Sequence, residues 1–185
     1  DDTLDVSTGT HVLTNNNNLK DIENITLNNS TINLTNQVEG FKITGASGTD
    51  IITGGSGADT IIVSAAGEAN SDTINGGGGT NKIEVSTGAH VFSTDGNVSN
   101  ISEIIAHASG STINLTGQAE GFTITGNNAG DTITGGSGAD IIAGKGGNDT
   151  LTGGGGTDLF KVETATDSIT DLTTGDNFQV SASAT

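Results

Sequence analysis

The chain contains no cysteine, proline, methionine, tryptophan or tyrosine. Its only aromatic residues are five phenylalanines, and its only basic residues besides three histidines are five lysines. Each absence excludes something. Without cysteine there is no disulfide framework, and the redox compartment cannot be read from pairing. Few large apolar side chains leave little material for a thick core, and apolar burial is what offsets chain entropy. A fold built here must be thin, with small side chains in rows. No stretch reaches the 18 or so apolar residues of a spanning helix. Asp1-Asp2-Thr3 does not read as a signal peptide.

Charge is equally one-sided. Twenty-two acidic residues give a formal net charge of -17. Nucleic acid is therefore not an expected partner, because phosphate binding needs clustered Lys and Arg. An anionic membrane surface would repel the chain, and no membrane insertion is expected. A cation is the favoured partner, since self-repulsion of this size opposes compaction unless counterions are bound.

What is abundant is repetition. The 185 residues include 30 glycines. Asp5-Val6-Ser7-Thr8-Gly9-Thr10-His11-Val12 returns as Glu84-Val85-Ser86-Thr87-Gly88-Ala89-His90-Val91. Ser30-Thr31-Ile32-Asn33-Leu34-Thr35 returns as Ser111-Thr112-Ile113-Asn114-Leu115-Thr116. The chain thus reads as two copies of one module, 1–82 and 83–185. Each copy opens with alternating segments such as Leu4-Asp5-Val6 and Thr31-Ile32-Asn33-Leu34, which predict short strands with apolar residues inward.

Each copy then carries a finer repeat of nine residues, Gly-Gly-x-Gly-x-Asp-x-aliphatic-x. In the second copy it runs unbroken from Gly126 to Lys161, with Asp131, Asp140, Asp149 and Asp158 in phase. In the first copy, Gly45 to Thr53 and Gly54 to Ile62 fit, with Asp50 and Asp59. An insertion, Val63 to Ala66, is expected to break the register before Asp72, and Asn81 stands where an Asp is due. Ala129 replaces a turn glycine.

The Gly-rich part of each repeat predicts a turn, because Gly reaches backbone angles other residues resist. The residues after it predict a short strand with one inward aliphatic. Two repeats then complete a coil of about 18 residues, and coils stack at about 4.8 Å. Asp131 is expected near Asp149, and Asp140 near Asp158. Carboxylates this close need a cation or a shared proton. Carboxylate and carbonyl oxygens in numbers make a calcium shell, whereas magnesium demands a tight octahedron and retained water. With no Cys and few His, a transition-metal site has little to work with. Calcium ligands, several ions in all, are expected from Asp131, Asp140, Asp149, Asp158, Asp50, Asp59 and Asp72. The turns contribute through Gly135, Gly136, Gly138, Gly144, Gly146, Gly153, Gly154, Gly156, Gly54, Gly55 and Gly57. Fewer or weaker ions are expected in the first copy.

On these repeats, and on Asp167-Ser168-Ile169-Thr170-Asp171-Leu172-Thr173-Thr174-Gly175-Asp176 after them, the chain resembles the RTX (repeats-in-toxin) calcium-binding family. The resemblance implies an all-β, right-handed parallel β-roll or β-solenoid, calcium-dependent folding and type I export of an unfolded chain. The expected function is structural: a calcium-rigidified segment of a secreted bacterial surface-layer or cell-surface protein, not an enzyme. Self-association, or contact with neighbouring segments of a longer chain, is expected. Alternatives are an adhesin module binding ice or glycan through Thr-x-Thr strands such as Thr123-Ile124-Thr125, and the calcium-binding tail of a secreted toxin or hydrolase. Phe41 and Phe122 are expected in the core. His11 and His90 are expected on the surface as repeat remnants.

Overall fold

The structure is a computed structural model describing residues 2–14, 19–64, 66–67, 71–107, 109–163 and 165–181. Among these it contains no helix. The strands are β1 (Thr3–Val6), β2 (Gly9–Val12), β3 (Asn24–Leu27), β4 (Ser30–Asn33), β5 (Lys42–Gly45), β6 (Ile51–Thr53) and β7 (Thr60–Val63). Next come β8 (Thr73–Asn75), β9 (Lys82–Val85), β10 (Gly88–Val91), β11 (Val98–Ser99), β12 (Glu103–Ala106) and β13 (Ser111–Asn114). The last are β14 (Thr123–Thr125), β15 (Thr132–Thr134), β16 (Ile141–Ala143), β17 (Thr150–Thr152), β18 (Leu159–Val162), β19 (Ser168–Ile169) and β20 (Asn177–Val180).

All pairings given by these strands are parallel, and sequential strands alternate between two faces of a coil, apart from β10 and β11, which both lie on the second face. One face is a 10-stranded sheet in the order β1-β3-β5-β7-β9-β12-β14-β16-β18-β20. The other face is two 5-stranded sheets, β11-β8-β6-β4-β2 and β10-β13-β15-β17-β19. The architecture is a parallel β-solenoid, a β-roll. The long sheet runs unbroken through the boundary expected near residue 82. The opposite face divides there, because β10 pairs with β13 while β11 pairs back to β8.

The core is a pair of side-chain columns, one from each face. Ile25, Ile43, Ile61, Ile83, Ile104, Ile124, Ile142 and Phe160 lie in register along the long sheet. All are fully buried. Ile32, Ile52 and Ile74 face them in the first half, and Ile113, Ile133 and Leu151 in the second. One or two inward apolar residues per strand, at period 2, suffice because the coil is only two sheets thick. Phe41 and Phe122 are buried as expected.

The two histidines diverge. His11 is exposed, but His90 is fully buried, contrary to its expected surface place. Both head an aliphatic column, opposite Ile32 and Ile113 respectively. Both β2 and β10 end their sheets, but β10 is covered: the Gly67 N–H donates to the Ala89 carbonyl at 2.8 Å, and, just before the strand, Ser86 Oγ donates to the Ser64 carbonyl at 2.8 Å. Burial lowers the His90 pKa.

Candidate metal centre

Two ladders of aspartates run along the two edges where the faces meet. On the first edge, each backbone N–H donates to a carboxylate one coil further on. The Asp131 N–H reaches Asp149 Oδ1 at 2.8 Å across 18 residues, and the Asp149 N–H reaches Asp167 Oδ1 at 3.1 Å. On the second edge, the Asp140 N–H reaches Asp158 Oδ1 at 2.8 Å and the Asp158 N–H reaches Asp176 Oδ1 at 2.9 Å. The chain therefore brings Asp131 beside Asp149 and Asp140 beside Asp158.

The first copy builds the same ladders at longer spacing. The Asp50 N–H donates to Asp72 Oδ1 at 2.9 Å across 22 residues. The insertion thus lengthens a coil but leaves the ladder intact. Val63 itself is a buried strand residue paired with Val85. The extra residues follow it, and Ala65 lies outside the described residues. On the other edge the Asp59 N–H donates to Asn81 Oδ1 at 2.8 Å. The ladders start on residues without a carboxylate: Ser30 and Ser111 on one edge, Phe41 and Phe122 on the other, each through its N–H. No side-chain pattern could have marked the phenylalanines for this, because only their backbone takes part.

The turn glycines make the stacking possible. A Cβ on Gly54, Gly135, Gly144 or Gly153 would collide with the carboxylate of the aspartate five positions later in its own turn. A Cβ on Gly55, Gly57, Gly136 or Gly138 would strike backbone of the preceding coil, at Gln37, Glu39, Gln118 and Glu120. Gly154 and Gly156 also hold φ +95 and +100, which L side chains rarely adopt. Gly146 donates its N–H to the Asn127 carbonyl at 3.0 Å. The turns are bare backbone laid on backbone, with carboxylates sealed between them.

That sealing shows in the electrostatics. Burial is the main cause that raises Asp140 and Asp149 to about 6, and it raises Asp59 and Asp158 as well. Neighbouring carboxylates add to the rise: Asp158 acts on Asp140, and Asp167 and Asp131 on Asp149. Asp176 shifts the other way, because the Asp158 and Thr173 N–H groups donate to it. Three inner carboxylates have their second oxygen closed by an amide of their own turn. These are Asp59 with Gly55 at 3.1 Å, Asp131 with Asn127 at 2.7 Å and Asp140 with Gly136 at 3.0 Å. Asp149 Oδ2 and Asp158 Oδ2 are buried with no hydrogen-bond partner.

A buried, unpartnered carboxylate oxygen is costly unless a cation meets it. The donors present are hard oxygens, carboxylate and turn carbonyl, and they fit calcium. Among the described residues no three His, Cys, Asp or Glu side chains converge on one point. A bound ion here would be held by paired ladder carboxylates and completed by turn carbonyls. Asp167 and Asp176 were not among the expected ligands, yet they extend both ladders. The signal was present in the sequence: each lies 18 residues beyond an array aspartate. It was hidden because the glycines that announce the other rungs are missing around Asp167.

Fold and site together define a metal-binding β-roll, with stacked turns that place carboxylates at the edges of a parallel solenoid. Residues 44–83, 64–89 and 125–160 match the family model of the RTX calcium-binding nonapeptide repeat (4 copies), and both Gly-rich arrays of this chain are repeats of that family. No curated protein and no solved structure matches the chain significantly.

Proposed function

We propose that the chain is a calcium-binding structural segment of an exported bacterial surface-layer or cell-surface protein, which folds and rigidifies outside the cell when calcium fills its turns. The observation that carries this reading is the paired, buried carboxylates of the two ladders, two of them with an oxygen that no protein donor meets. The ligands are Asp131, Asp140, Asp149 and Asp158, with Asp50, Asp59 and Asp72 in the first copy and the turn carbonyls beside them. Calcium supplies the positive charge that lets these carboxylates lie stacked. The chain supplies the spacing, the bare turns and the exclusion of water. Binding free energy then appears as folding free energy. Each site occupied at 100 times its dissociation constant adds about 2.7 kcal/mol.

No helix among the described residues is long and apolar enough to cross a membrane. The coiled fold is a structural calcium-binding one, and the role proposed is mechanical, not catalytic. Circular dichroism of the chain in calcium and then in excess chelator tests the reading. The strand signal should collapse towards that of a disordered chain. An unchanged spectrum would refute the proposal.

A second reading is favoured by one surface. Thr112, Thr132, Thr150 and Ser168 stand in register across β13, β15, β17 and β19. Asn114, Thr134 and Thr152 form a parallel row. This uncharged ladder suits adhesion to ice or glycan. Ice-shaping and glycan-array measurements discriminate it from a purely structural role.

A further inference from the structure

The matching histidines of the two copies have unlike surroundings, and the buried one sits where the second face of the roll divides. There β10 pairs forward with β13 and β11 pairs back with β8, so no strand pairing among the described residues carries that face across. A short set of contacts around His90 closes the seam instead. The Gly67 N–H donates to the Ala89 carbonyl at 2.8 Å, and Gly88 lies so near Ala66 that a Cβ has no room there. Ser86 reaches the same earlier coil twice. Its N–H donates to the Val63 carbonyl at 3.2 Å, and its Oγ donates to the Ser64 carbonyl at 2.8 Å. Towards the following coil, Ser111 Oγ donates to the Ser86 carbonyl at 3.2 Å.

His90 fills the core of this seam. It is 0% exposed and stands in register with Ile113, at the head of the column Ile113, Ile133 and Leu151. Its Nε2 lies 3.0 Å from the Ser86 carbonyl, which can only accept, so Nε2 carries the proton of the neutral ring. Nδ1 is then a bare acceptor, buried and without a hydrogen-bond partner. A second proton can enter only at Nδ1. It would make a buried N–H with nothing to receive it and a charge with nothing to balance it. Besides His90, neither β10 nor β13 nor residues 64, 66 and 67 carry a charged side chain. On β9, Lys82 and Glu84 point outward from the long sheet and pair at 2.8 Å, with His107 4.0 Å from Glu84. Asp131, one coil on, accepts the Ser111 N–H at 2.6 Å, and Asp95, in the loop before β11, accepts the Ala119 N–H at 3.3 Å. Glu68 lies outside the described residues.

We propose that His90 is an acid-sensitive lock on the junction between the two halves of the roll. Neutral, it closes the divided face. Protonated, it leaves the core and frees the halves to bend about the long sheet, which stays continuous through β9 and β12. The lock uses none of the calcium ligands and goes beyond the calcium reading. Burial lowers the His90 pKa from its ordinary 6.5, with the Ser86 carbonyl acting the other way. The closed seam therefore has its full stability above about 6.5 and loses it as pH falls below that, by up to about tenfold in the opening equilibrium per pH unit.

Hydrogen exchange of the full chain in saturating calcium, at about pH 7.5 and about pH 5 and corrected for intrinsic rates, compares wild type with His90→Gln. The glutamine keeps an amide donor for the Ser86 carbonyl and takes up no proton. In wild type, peptides covering 86–92 and 111–114 should lose protection at the lower pH by about tenfold or more, while those covering 126–161 change little. In His90→Gln the seam peptides should keep their protection. Equal acid-dependent loss in wild type and variant, or no loss at the wild-type seam, would overturn the lock. If His90→Gln does not fold, NMR of the wild-type imidazoles decides. The His90 ring should take its second proton only as seam protection is lost, and protonation with the seam still protected would overturn the proposal.

Discussion

The two glycine arrays are built on one plan and satisfied in different ways. In the first, the second-edge ladder ends on Asn81. Its Oδ1 accepts the Asp59 N–H, while its Nδ2 donates to the Gly78 carbonyl at 2.9 Å and the Asn100 carbonyl at 3.0 Å. A neutral amide there joins turn carbonyls of its own coil and the next. In the second array the equivalent ladder continues through Asp140, Asp158 and Asp176, and Asp158 Oδ2 is left unmet. At this one ladder position the first array carries its own donor, whereas the second leaves a carboxylate oxygen open to a cation. A single atom type at one ladder position separates an internally closed turn from an ion-dependent one.

The sharpest way to break this comparison is to remove the internal donor. Asn81→Asp deletes two hydrogen bonds and puts a carboxylate against two carbonyls. At limiting calcium the variant should lose about 3 kcal/mol of stability, and saturating calcium should restore it. Urea unfolding at limiting and at saturating calcium measures both, and equal loss in both conditions would show that Asn81 is not standing in for an ion.

A smaller effect is expected from the paired substitutions Asp140→Ala and Asp59→Ala. Asp140→Ala should reduce calcium binding more, because Asp59 stacks on an amide and Asp140 on a carboxylate. Calorimetric titration reads the difference. Equal loss in both variants would contradict the asymmetry.

The smallest effect concerns pH. Asp140 and Asp149, raised to about 6, hold their protons more tightly folded than unfolded. In chelator, their contribution to stability is fully present below about 3.8 and is lost as pH rises through about 6. Calcium reverses the trend, since protons compete with it for the same oxygens. The circular-dichroism strand signal scanned from pH 4 to 8 in chelator should fall as pH rises, and in calcium it should rise. Parallel curves would mean that these carboxylates do not take the ion.

Much of this molecule was legible before folding. The nonapeptide phase placed the inward aliphatics Ile133, Ile142 and Leu151, and it placed the aspartate pairs, because a fixed repeat length forces equivalent residues onto one edge of a coil. What followed the array was harder to see. Asp167 lacks flanking glycines, so its rung left only a spacing. Asp171 has no repeat partner, and its hold on the Gly153 and Gly154 N–H groups depends on how the chain turns after β19. Asn81 looked like the loss of a ligand, whereas its amide hydrogens satisfy two carbonyls.

Sequence alone determined the coil: period, bare turns, apolar residues inward on each strand, and an acidic edge that calls for cations. Each of these is a local property repeated at a constant interval, so it could be read without knowing what lies beside it. Tertiary structure decided everything that depends on position in the stack. His11 and His90 share a motif, yet only the second is buried, because only it has a coil beneath it. Asp140 and Asp158 share another, yet only Asp158 lacks the amide of its own turn, because the Gly154 N–H donates to Asp171 instead. Neighbours across coils set burial and hydrogen bonding, and those neighbours differ at the ends and at the junction.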